Sequence, residues 1–488
     1  MAITSTFESR LWLAGDYIDP GTETQPVVSP VTGQRLASLP AATADHVDAA
    51  VRAARRAFDD FRHWSTYERA ALCHRIARLI EDNAEQLARL TTLEQGKPYH
   101  GEALVDVEDS ASLFAISAED AKRLYGEVIP SSARNKRMLT FRVPVGVWAA
   151  ITPWNFPLMI MCEFLGPALA TGNAIVCKPP AATPLACLAL GAILEEAGVP
   201  AGLVSILPGD GSVGQALVTH PDVDAIGFVG SSSTAERIVR AAGLKRTLME
   251  ASGNGPVVVC ADANVEQAAL AAVYGAYWNA GQVCCATERV LVDRRVVEAF
   301  SEAVVQAAGA AILGDPFDPS TTLGPLTLPE TAAKTDAHIA QAVAHGARIR
   351  TGGQRASGFP TDLYFPLTVI DRVDRDMRIA REETFGPVVP IIACDDDADL
   401  LRTANTDPLG LQAAVFTNSL DRAFTFAEGL RCGSVVVNDS TDYFESAQPF
   451  GGAAGTRTGW GRVGGLQQLR DMTDLRCTII SLPERTDP

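Results

Sequence analysis

Apolar positions near the start of the chain recur with the spacing of amphipathic helices. A helix is predicted after Thr43 or Asp45, because one face collects apolar residues three or four positions apart: Val47, Val51, Ala54, Phe58 and Phe61. Ser65 and Glu68 then form a capping-box pattern. This pattern predicts a second helix that begins there and continues through Leu79.

From about residue 143 the chain alternates short apolar runs with helical stretches. Strands are predicted at 145–151, 173–177, 203–207 and 225–229. The helices between them are predicted at 158–170, 184–196 and 213–218. A second set runs from about 256 to 440, with strands at 256–260 and 433–437 and an Ala-rich helix at 265–278. Such alternation is typical of an α/β fold with parallel sheets covered by helices on both faces.

Two further segments alternate without helices between them. Residues 128–144 predict a strand pair that protrudes from the sheet, and residues 475–483 predict another strand. An exposed strand of this kind can pair or pack against another chain. We therefore expect these segments to serve assembly.

Composition limits the partners of the chain. With 488 residues and 47% hydrophobic content it can bury a large core, and its net charge of −17 argues against nucleic acid or an anionic membrane as partner. No apolar run reaches the length of a membrane span, and Glu8 and Arg10 interrupt the start where a secretory signal needs an apolar run. We expect a cytoplasmic protein without a membrane partner.

Cysteine and histidine positions give no sign of a metal. The ten cysteines are scattered rather than clustered, and adjacent Cys284 and Cys285 fit no zinc-ligand spacing. Most of the cysteines are expected to be free and buried. Histidines are expected at the surface, at positions 46, 63, 74, 100, 220, 338 and 345.

One glycine-rich turn matches the dinucleotide fingerprint. Residues 209–214, GDGSVG, follow a predicted strand and open a helix, but no acidic residue follows at 227–231 to hold a ribose. A second phosphate site is available where Gly230 and Ser231 precede a helix. The pattern alone leaves both sites open.

Several segments together resemble the signature elements of the NAD(P)-dependent aldehyde dehydrogenase superfamily. They are TPWNFP at 152–157, KP at 178–179, LMEASG at 248–253, NAGQVC at 279–284, GDPFDPSTTLGP at 314–325, EETFGPV at 382–388 and PFGG at 449–452. The likeness covers almost the whole chain in the family's order. It extends in general pattern to semialdehyde dehydrogenases of the hydrolytic type, which do not acylate CoA.

The resemblance implies a division of the chain. Residues 1–124 and 145–252 would form a Rossmann-like NAD(P)-binding domain, and residues 253–455 a catalytic α/β domain. Residues 125–144 and 468–488 would form oligomerisation strands that join a homodimer or homotetramer.

The resemblance also implies the catalytic residues: Cys284 as nucleophile, Glu250 as general base and Asn155 as oxyanion donor. A thiolate adds readily to an aldehyde, and the adduct loses hydride to leave a thioester. Glu250 would activate the water that hydrolyses this thioester. Two alternatives stay open: a nucleotide-binding or structural protein with a relic site, and an esterase or thioesterase that uses the same cysteine.

The cofactor is expected to be NAD or NADP. The resemblance assigns its pocket to Thr152, Pro153, Trp154, Lys178, Gly230, Ser231, Glu383 and Phe385, and moves the 209–214 turn toward the adenine. Many NAD-preferring members carry an acid three residues after Lys178, but this chain has Ala181 there. NADP is therefore expected to be accepted, because no carboxylate repels its 2′-phosphate.

By family position the small-molecule aldehyde occupies a largely apolar tunnel lined by Phe156, Met159, Ile160, Glu163, Trp278, Val283, Cys285, Phe444 and Phe450. Where semialdehyde relatives often carry arginine, this chain has Glu163, which either favours a neutral or cationic aldehyde or pairs with an arginine elsewhere. The family's usual lysine and glutamate are replaced by Phe164 and Val463. Ser252 and Asn254 also depart from the family pattern.

Overall fold

The computed structural model describes residues 10–483. Residues 1–9 and 484–488 lie outside the described part of the chain. Glu8, the start of the predicted segment 1–124 and the end of the predicted segment 468–488 lie there too, so the structure does not address them.

A large sheet forms the first of two α/β layers. Its eight strands have the order β19-β11-β10-β7-β8-β9-β1-β2. In chain order their bounds are β1 Leu11–Leu13, β2 Asp16–Ile18, β7 Val147–Ile151, β8 Ala174–Lys178, β9 Val204–Ile206, β10 Ala225–Gly230, β11 Arg246–Ala251 and β19 Gly459–Trp460. The five central strands, β7 to β11, run parallel, as the sequence predicts.

The second layer contains seven strands in the order β14-β15-β16-β13-β12-β17-β18. Their bounds are β12 Pro256–Val259, β13 Arg289–Asp293, β14 Arg348–Thr351, β15 Thr368–Asp371, β16 Val388–Cys394, β17 Gln412–Phe416 and β18 Ser434–Val437. All are parallel except β14 at one edge. Two largely parallel sheets therefore confirm the predicted α/β class.

Two small antiparallel sheets complete the strands. One joins β5 Val128–Ile129, β6 Lys136–Pro144 and β20 Thr473–Ser481, in the order β20-β6-β5, and the other pairs β3 Thr24–Val28 with β4 Arg35–Pro40. The strands predicted in 128–144 and at 475–483 are thus present and pair with each other. Most of β20 is exposed.

Helices cover the sheets. The α-helices are α1 Ala44–Phe61, α2 Thr66–Asp82, α3 Ala84–Gln95, α4 Leu104–Ala121, α5 Pro157–Thr171, α6 Leu185–Glu196, α7 Gly211–Thr219, α8 Ser232–Ala242, α9 Val265–Tyr277, α10 Val297–Ala307, α11 Pro329–Ala344, α12 Arg378–Arg381, α13 Asp397–Ala404, α14 Leu420–Gly429 and α15 Gly465–Asp471. A π-helical turn at Tyr99–Ala103 and 3₁₀ turns at Trp278–Gly281 and Ala308–Ala310 accompany them.

The two N-terminal helices form as predicted. Thr43 caps α1, whose five predicted apolar residues are all buried. Ser65 and Glu68 make the predicted reciprocal capping box of α2. Side-chain oxygens at these caps satisfy backbone N–H groups that a helix start otherwise leaves unpaired.

His338 is an exception to the predicted surface placement of the histidines. Its side chain is fully buried, and its Nδ1 lies 3.1 Å from Thr384 Oγ1. His338 belongs to the inner face of α11 together with Thr335 and Ile339, which are also buried. The prediction was wrong here because the helix turns this position toward the second sheet.

The described residues, 10–483, include all ten cysteines. All ten cysteines are free, and seven of them are buried. No helix in this range is long and apolar enough to cross a membrane. The same residues contain no group of three or more histidine, cysteine or carboxylate side chains arranged to hold a metal ion.

Candidate active site

Cys284 lies on a loop whose backbone is unusual. After α9 the chain makes a 3₁₀ turn in which Asn279, Ala280 and Gly281 all have positive φ, at 49°, 54° and 73°. A Cβ on Gly281 would lie 2.3 Å from the Gly386 carbonyl oxygen, so only glycine fits there. This turn redirects the chain just before Cys284, which is three residues after Gly281.

Asn279 fixes this loop through buried hydrogen bonds. Its backbone N–H donates to Glu102 Oε2 over 3.0 Å, and its side-chain oxygen accepts from Gln95 Nε2 over 2.7 Å. Its side-chain nitrogen donates to the Asn155 and Gln282 carbonyl oxygens over 3.0 and 3.2 Å. Asn279 therefore ties the cysteine loop to the segment that carries Asn155.

Asn155 is buried between β7 and α5. Its side-chain nitrogen donates to the Gln282 carbonyl oxygen over 2.9 Å, two residues before Cys284. An amide nitrogen carries two hydrogens, so one remains to donate to an oxygen atom beside Cys284. This arrangement fits an oxyanion donor.

Glu250 reaches the same place at the end of β11. Three residues later the chain passes so close to the cysteine loop that a Cβ on Gly253 would lie 2.0 Å from the Cys284 carbonyl oxygen.

Ser252 and Asn254, the two nearby residues that depart from the family pattern, are accommodated by hydrogen bonds. Asn254 donates to Asp407 over 2.5 Å, and the Ser252 carbonyl oxygen accepts from Thr458 over 3.0 Å.

Two cavities of about 320 Å³ each meet at this point. Cys284 and Glu250 line both of them, and they are the only residues common to the two linings. The first cavity contains all nine predicted tunnel residues: Phe156, Met159, Ile160, Glu163, Trp278, Val283, Cys285, Phe444 and Phe450. A thiol and a carboxyl group therefore stand at the boundary between two binding spaces.

Protonation of this pair follows from its surroundings. A hydrogen bond with Cys285, together with burial and the Glu250 carboxylate, raises the pKa of the Cys284 thiol well above its ordinary value. Burial raises the pKa of Glu250 to about 7, although a hydrogen bond with the Cys284 thiol opposes this rise. One Glu250 oxygen, Oε1, is buried and has no hydrogen-bond partner among the described residues. A base poised near neutral pH thus stands beside a thiol that needs one.

The second cavity contains most of the predicted cofactor residues: Pro153, Trp154, Gly230, Ser231, Glu383 and Phe385. Ser231 caps α8 by accepting from the Thr234 backbone N–H. Glu383 accepts from the Gly253 N–H over 3.0 Å, and the Trp154 and Phe385 rings meet edge to face at 5.5 Å. Negative groups are favoured at such a helix start.

Two predicted cofactor residues, Thr152 and Lys178, line neither of these two cavities. Lys178 is buried, and its Nζ donates to the Pro179 carbonyl oxygen over 3.0 Å. Gly209, the first residue of the fingerprint-like turn, lines a separate small depression together with Ala181. Asp210 begins α7 there as its N-cap.

Lys334 and Glu288 were not among the predicted site residues. Lys334 on α11 is the only basic residue in the second cavity's lining, and its Nζ lies 6.0 Å from the Phe385 ring centre. Buried Glu288 accepts from the backbone N–H groups of Thr384 and Phe385 over 2.7 and 2.8 Å, which stabilises the positive φ of Phe385. The adjacent acid and base at 288–289, which begin three residues after Cys285, could have pointed to Glu288 in the sequence.

The first cavity is more acidic than the sequence indicates. Its lining includes seven carboxyl groups: Glu102, Asp106, Asp109, Glu163, Glu250, Asp439 and Asp442. The lining is largely apolar, as predicted, and carries these acids in addition. Glu163 lines the cavity and makes no ion pair with an arginine in residues 10–483.

Phe164, which stands where the family usually has a lysine, lies in an apolar setting. Its ring is fully buried and so close to β10 that a Cβ on Gly227 would lie 2.4 Å from it. Val463 is buried as well.

We expect Phe164→Lys to destabilise the protein by about 3 kcal/mol or more, because it buries an unpaired ammonium. Thermal unfolding measures the loss, with Phe164→Leu as the apolar control. A melting temperature of Phe164→Lys equal to that of the control would contradict this expectation.

Comparisons with known proteins point to one family over almost the whole chain. Residues 17–478 match the model of the aldehyde dehydrogenase family. The NADP(+) succinate-semialdehyde dehydrogenase of Escherichia coli is 35% identical over 98% of this chain and 99% of its own length. A 3-sulfolactaldehyde dehydrogenase of Pseudomonas putida is 36% identical over 98% and 97%. The solved indole-3-acetaldehyde dehydrogenase of P. syringae, in complex with NAD+ and IAA, is 39% identical with a TM-score of 0.94, covering 98% and 97% of the two chains.

Proposed function

The chain belongs to the aldehyde dehydrogenase family, and we propose that it oxidises an aldehyde to a carboxylic acid through a thioester on Cys284. One observation carries these residue roles: Cys284 and Glu250 are the only residues that line both cavities. A nucleophile at this boundary reaches an aldehyde on one side and a hydride acceptor on the other. An esterase needs no second cavity behind the nucleophile. A nucleotide-binding protein with a relic site needs neither a thiol nor a carboxyl group at the boundary between two cavities.

The protein's own groups carry the covalent chemistry. Glu250 takes the Cys284 proton, and the thiolate sulfur adds to the aldehyde carbon while the carbonyl electrons move to oxygen. Asn155 and the Cys284 backbone N–H donate to that oxyanion, and one such donor typically contributes about 3–4 kcal/mol. After the carbon has lost hydride, a thioester remains. Glu250 then removes a proton from water, the hydroxide adds to the thioester, and the C–S bond breaks to release the acid.

NAD or NADP fits the second cavity. The start of α8 at Ser231 and the ammonium of Lys334 suit phosphate groups, while Glu383 offers a carboxylate to ribose hydroxyls. Trp154 and Phe385 provide apolar walls. When bound, the dinucleotide supplies the hydride acceptor. Thr152 and Lys178 remain proposed contacts for the part of the cofactor beyond this cavity.

The overall activity is tested with a panel of aldehydes and both cofactors, following the absorbance of the reduced nicotinamide. We expect NADP and NAD to give kcat/KM values within about tenfold of each other, because exposed Ala181 offers no negative charge to repel a 2′-phosphate. Ala181→Glu should then lower NADP use at least about tenfold and spare NAD, whereas Ala181→Gln controls for size. Activity with NAD alone in the unmodified enzyme would contradict the cofactor prediction.

We also assign roles to the larger segments. Residues 1–124 and 145–252 contribute an NAD(P)-binding domain, residues 253–455 a catalytic domain, and residues 125–144 and 468–488 the assembly strands. The sheet of β5, β6 and β20 supports the last assignment, because it exposes large apolar side chains: Val128, Phe141, Leu475, Ile479 and Ile480. A homodimer or homotetramer would cover them. The ten free cysteines support a cytoplasmic location.

A further inference from the structure

The substrate cavity is lined by acidic side chains but by no basic ones. Seven carboxyl groups line it, and its lining contains no lysine, arginine or histidine. Among residues 10–483, one basic side chain forms an ion pair with a member of this set: buried Lys97, whose Nζ lies 2.8 Å from Asp106. Glu102 is held by the Asn279 backbone N–H over 3.0 Å, and Glu250 serves as the base. Asp439 likewise accepts from the Ser440 backbone N–H over 2.8 Å. Three carboxyl groups remain for a ligand: Asp109, Glu163 and Asp442.

Glu163 is the most informative of the three. It is 2% exposed, lines the cavity, and its carboxyl group has no hydrogen bond or ion pair among the described residues. Burying a carboxylate without a partner is costly, since the lost hydration is not replaced. An unpartnered acid in a cavity therefore fits a ligand that brings the missing positive charge.

The remaining acids lie on other elements around the same space. Asp109 comes from α4, whereas Asp442 comes from the loop after β18. Burial raises the pKa of Asp442, an effect that the Lys97 ammonium opposes, and burial together with the Glu250 carboxylate raises that of Glu163. Burial also raises the pKa of Asp109 to about 6. A bound cation would stabilise the ionised form of each group.

Aromatic rings add a second feature that suits a cation. The cavity is lined by six of them: Phe156, Tyr274, Trp278, Tyr443, Phe444 and Phe450. The faces of such rings attract ammonium and guanidinium groups. One ring already does so within the protein, because Lys97 Nζ lies 3.7 Å from the centre of Phe156.

Resting on the proposed aldehyde oxidation, we propose that the substrate is an aldehyde with a positively charged group, ammonium or guanidinium, at the end remote from the carbonyl. Glu163, Asp109 and Asp442 hold this group by charge, and the surrounding rings pack against it. The same acids offer no positive charge to a carboxylate tail, such as that of succinate semialdehyde. The chain would thus differ in substrate charge from relatives named for semialdehydes, despite about 35% identity.

Matched probes isolate the charge. 4-(Trimethylammonio)butanal and 5,5-dimethylhexanal have the same shape and differ only in that nitrogen replaces carbon. We expect kcat/KM to be at least about tenfold higher for the cation. Succinate semialdehyde should be the poorest of the three, and 4-guanidinobutanal tests whether hydrogen bonding to the acids adds to the preference. A cation-to-isostere ratio near one, or a preference for succinate semialdehyde, would overturn the proposal.

Variants connect this preference to the residues. Glu163→Gln and Asp442→Asn should each reduce the cation-to-isostere ratio of kcat/KM about tenfold. Glu108→Gln is the control, since exposed Glu108 is next to Asp109 on α4 but does not line the cavity, and it should leave the ratio unchanged. A ratio unaffected in both Glu163→Gln and Asp442→Asn would refute the assignment. If no probe is oxidised with either cofactor, the proposed function itself fails, whereas oxidation without charge preference defeats only this inference.

Discussion

Replacing Cys284 with serine is expected to abolish aldehyde oxidation, lowering kcat/KM at least about a thousandfold. A serine hydroxyl is far less acidic than a thiol, so Glu250, with a pKa of about 7, cannot ionise it appreciably. A serine adduct would also leave an ester in place of the more reactive thioester. Reduced-nicotinamide formation measures the loss, and unchanged binding of NAD and NADP shows that the second cavity is intact.

The neighbouring thiol provides the contrast. Cys285 is buried in the wall of the substrate cavity and lies on only one side of the boundary, so Cys285→Ser should mainly shift the preference among aldehydes. Cys432→Ser, outside both linings, controls for general effects of removing a thiol. If Cys284→Ser stayed active while Cys285→Ser did not, the nucleophile would have to be reassigned.

Glu250→Gln is expected to lower the steady-state rate about a hundredfold or more, the usual contribution of a general base. The amide keeps the shape of the side chain but accepts no proton, either from Cys284 or from water. Thioester hydrolysis then depends on unassisted water, and acyl-enzyme should accumulate. Mass spectrometry of the protein, stopped during turnover, detects that intermediate.

The pH profile gives an independent measurement of the same group. Because Glu250 acts as a base and burial raises its pKa to about 7, the unmodified enzyme should lose about tenfold in rate per unit below pH 7 and level off above it. Glu250→Gln should lack this limb. Exposed Glu266, which belongs to neither lining, provides the control Glu266→Gln. A Glu250→Gln profile that still falls below pH 7 would assign the limb to another residue.

Local sequence patterns were sufficient where neighbouring residues decide the outcome. The capping box of Ser65 and Glu68 formed because both partners lie within one turn of helix. The apolar runs became buried parallel strands for a similar reason, since their own side chains provide what both faces of the sheet require. His338 departed from expectation because its burial depends on the segment opposite α11 rather than on its neighbours in sequence.

The sequence by itself determined the α/β class, the family resemblance and the residues proposed for catalysis, because each depends on short segments with fixed spacing. Tertiary structure decided what surrounds them. Chain topology makes Cys284 and Glu250 the shared wall of two cavities, and it gathers Asp109, Glu163 and Asp442 around one of them from separate elements. Acidic residues that converge from distant parts of the chain follow no local period, so only the folded protein shows that they join the largely apolar tunnel that the sequence predicted.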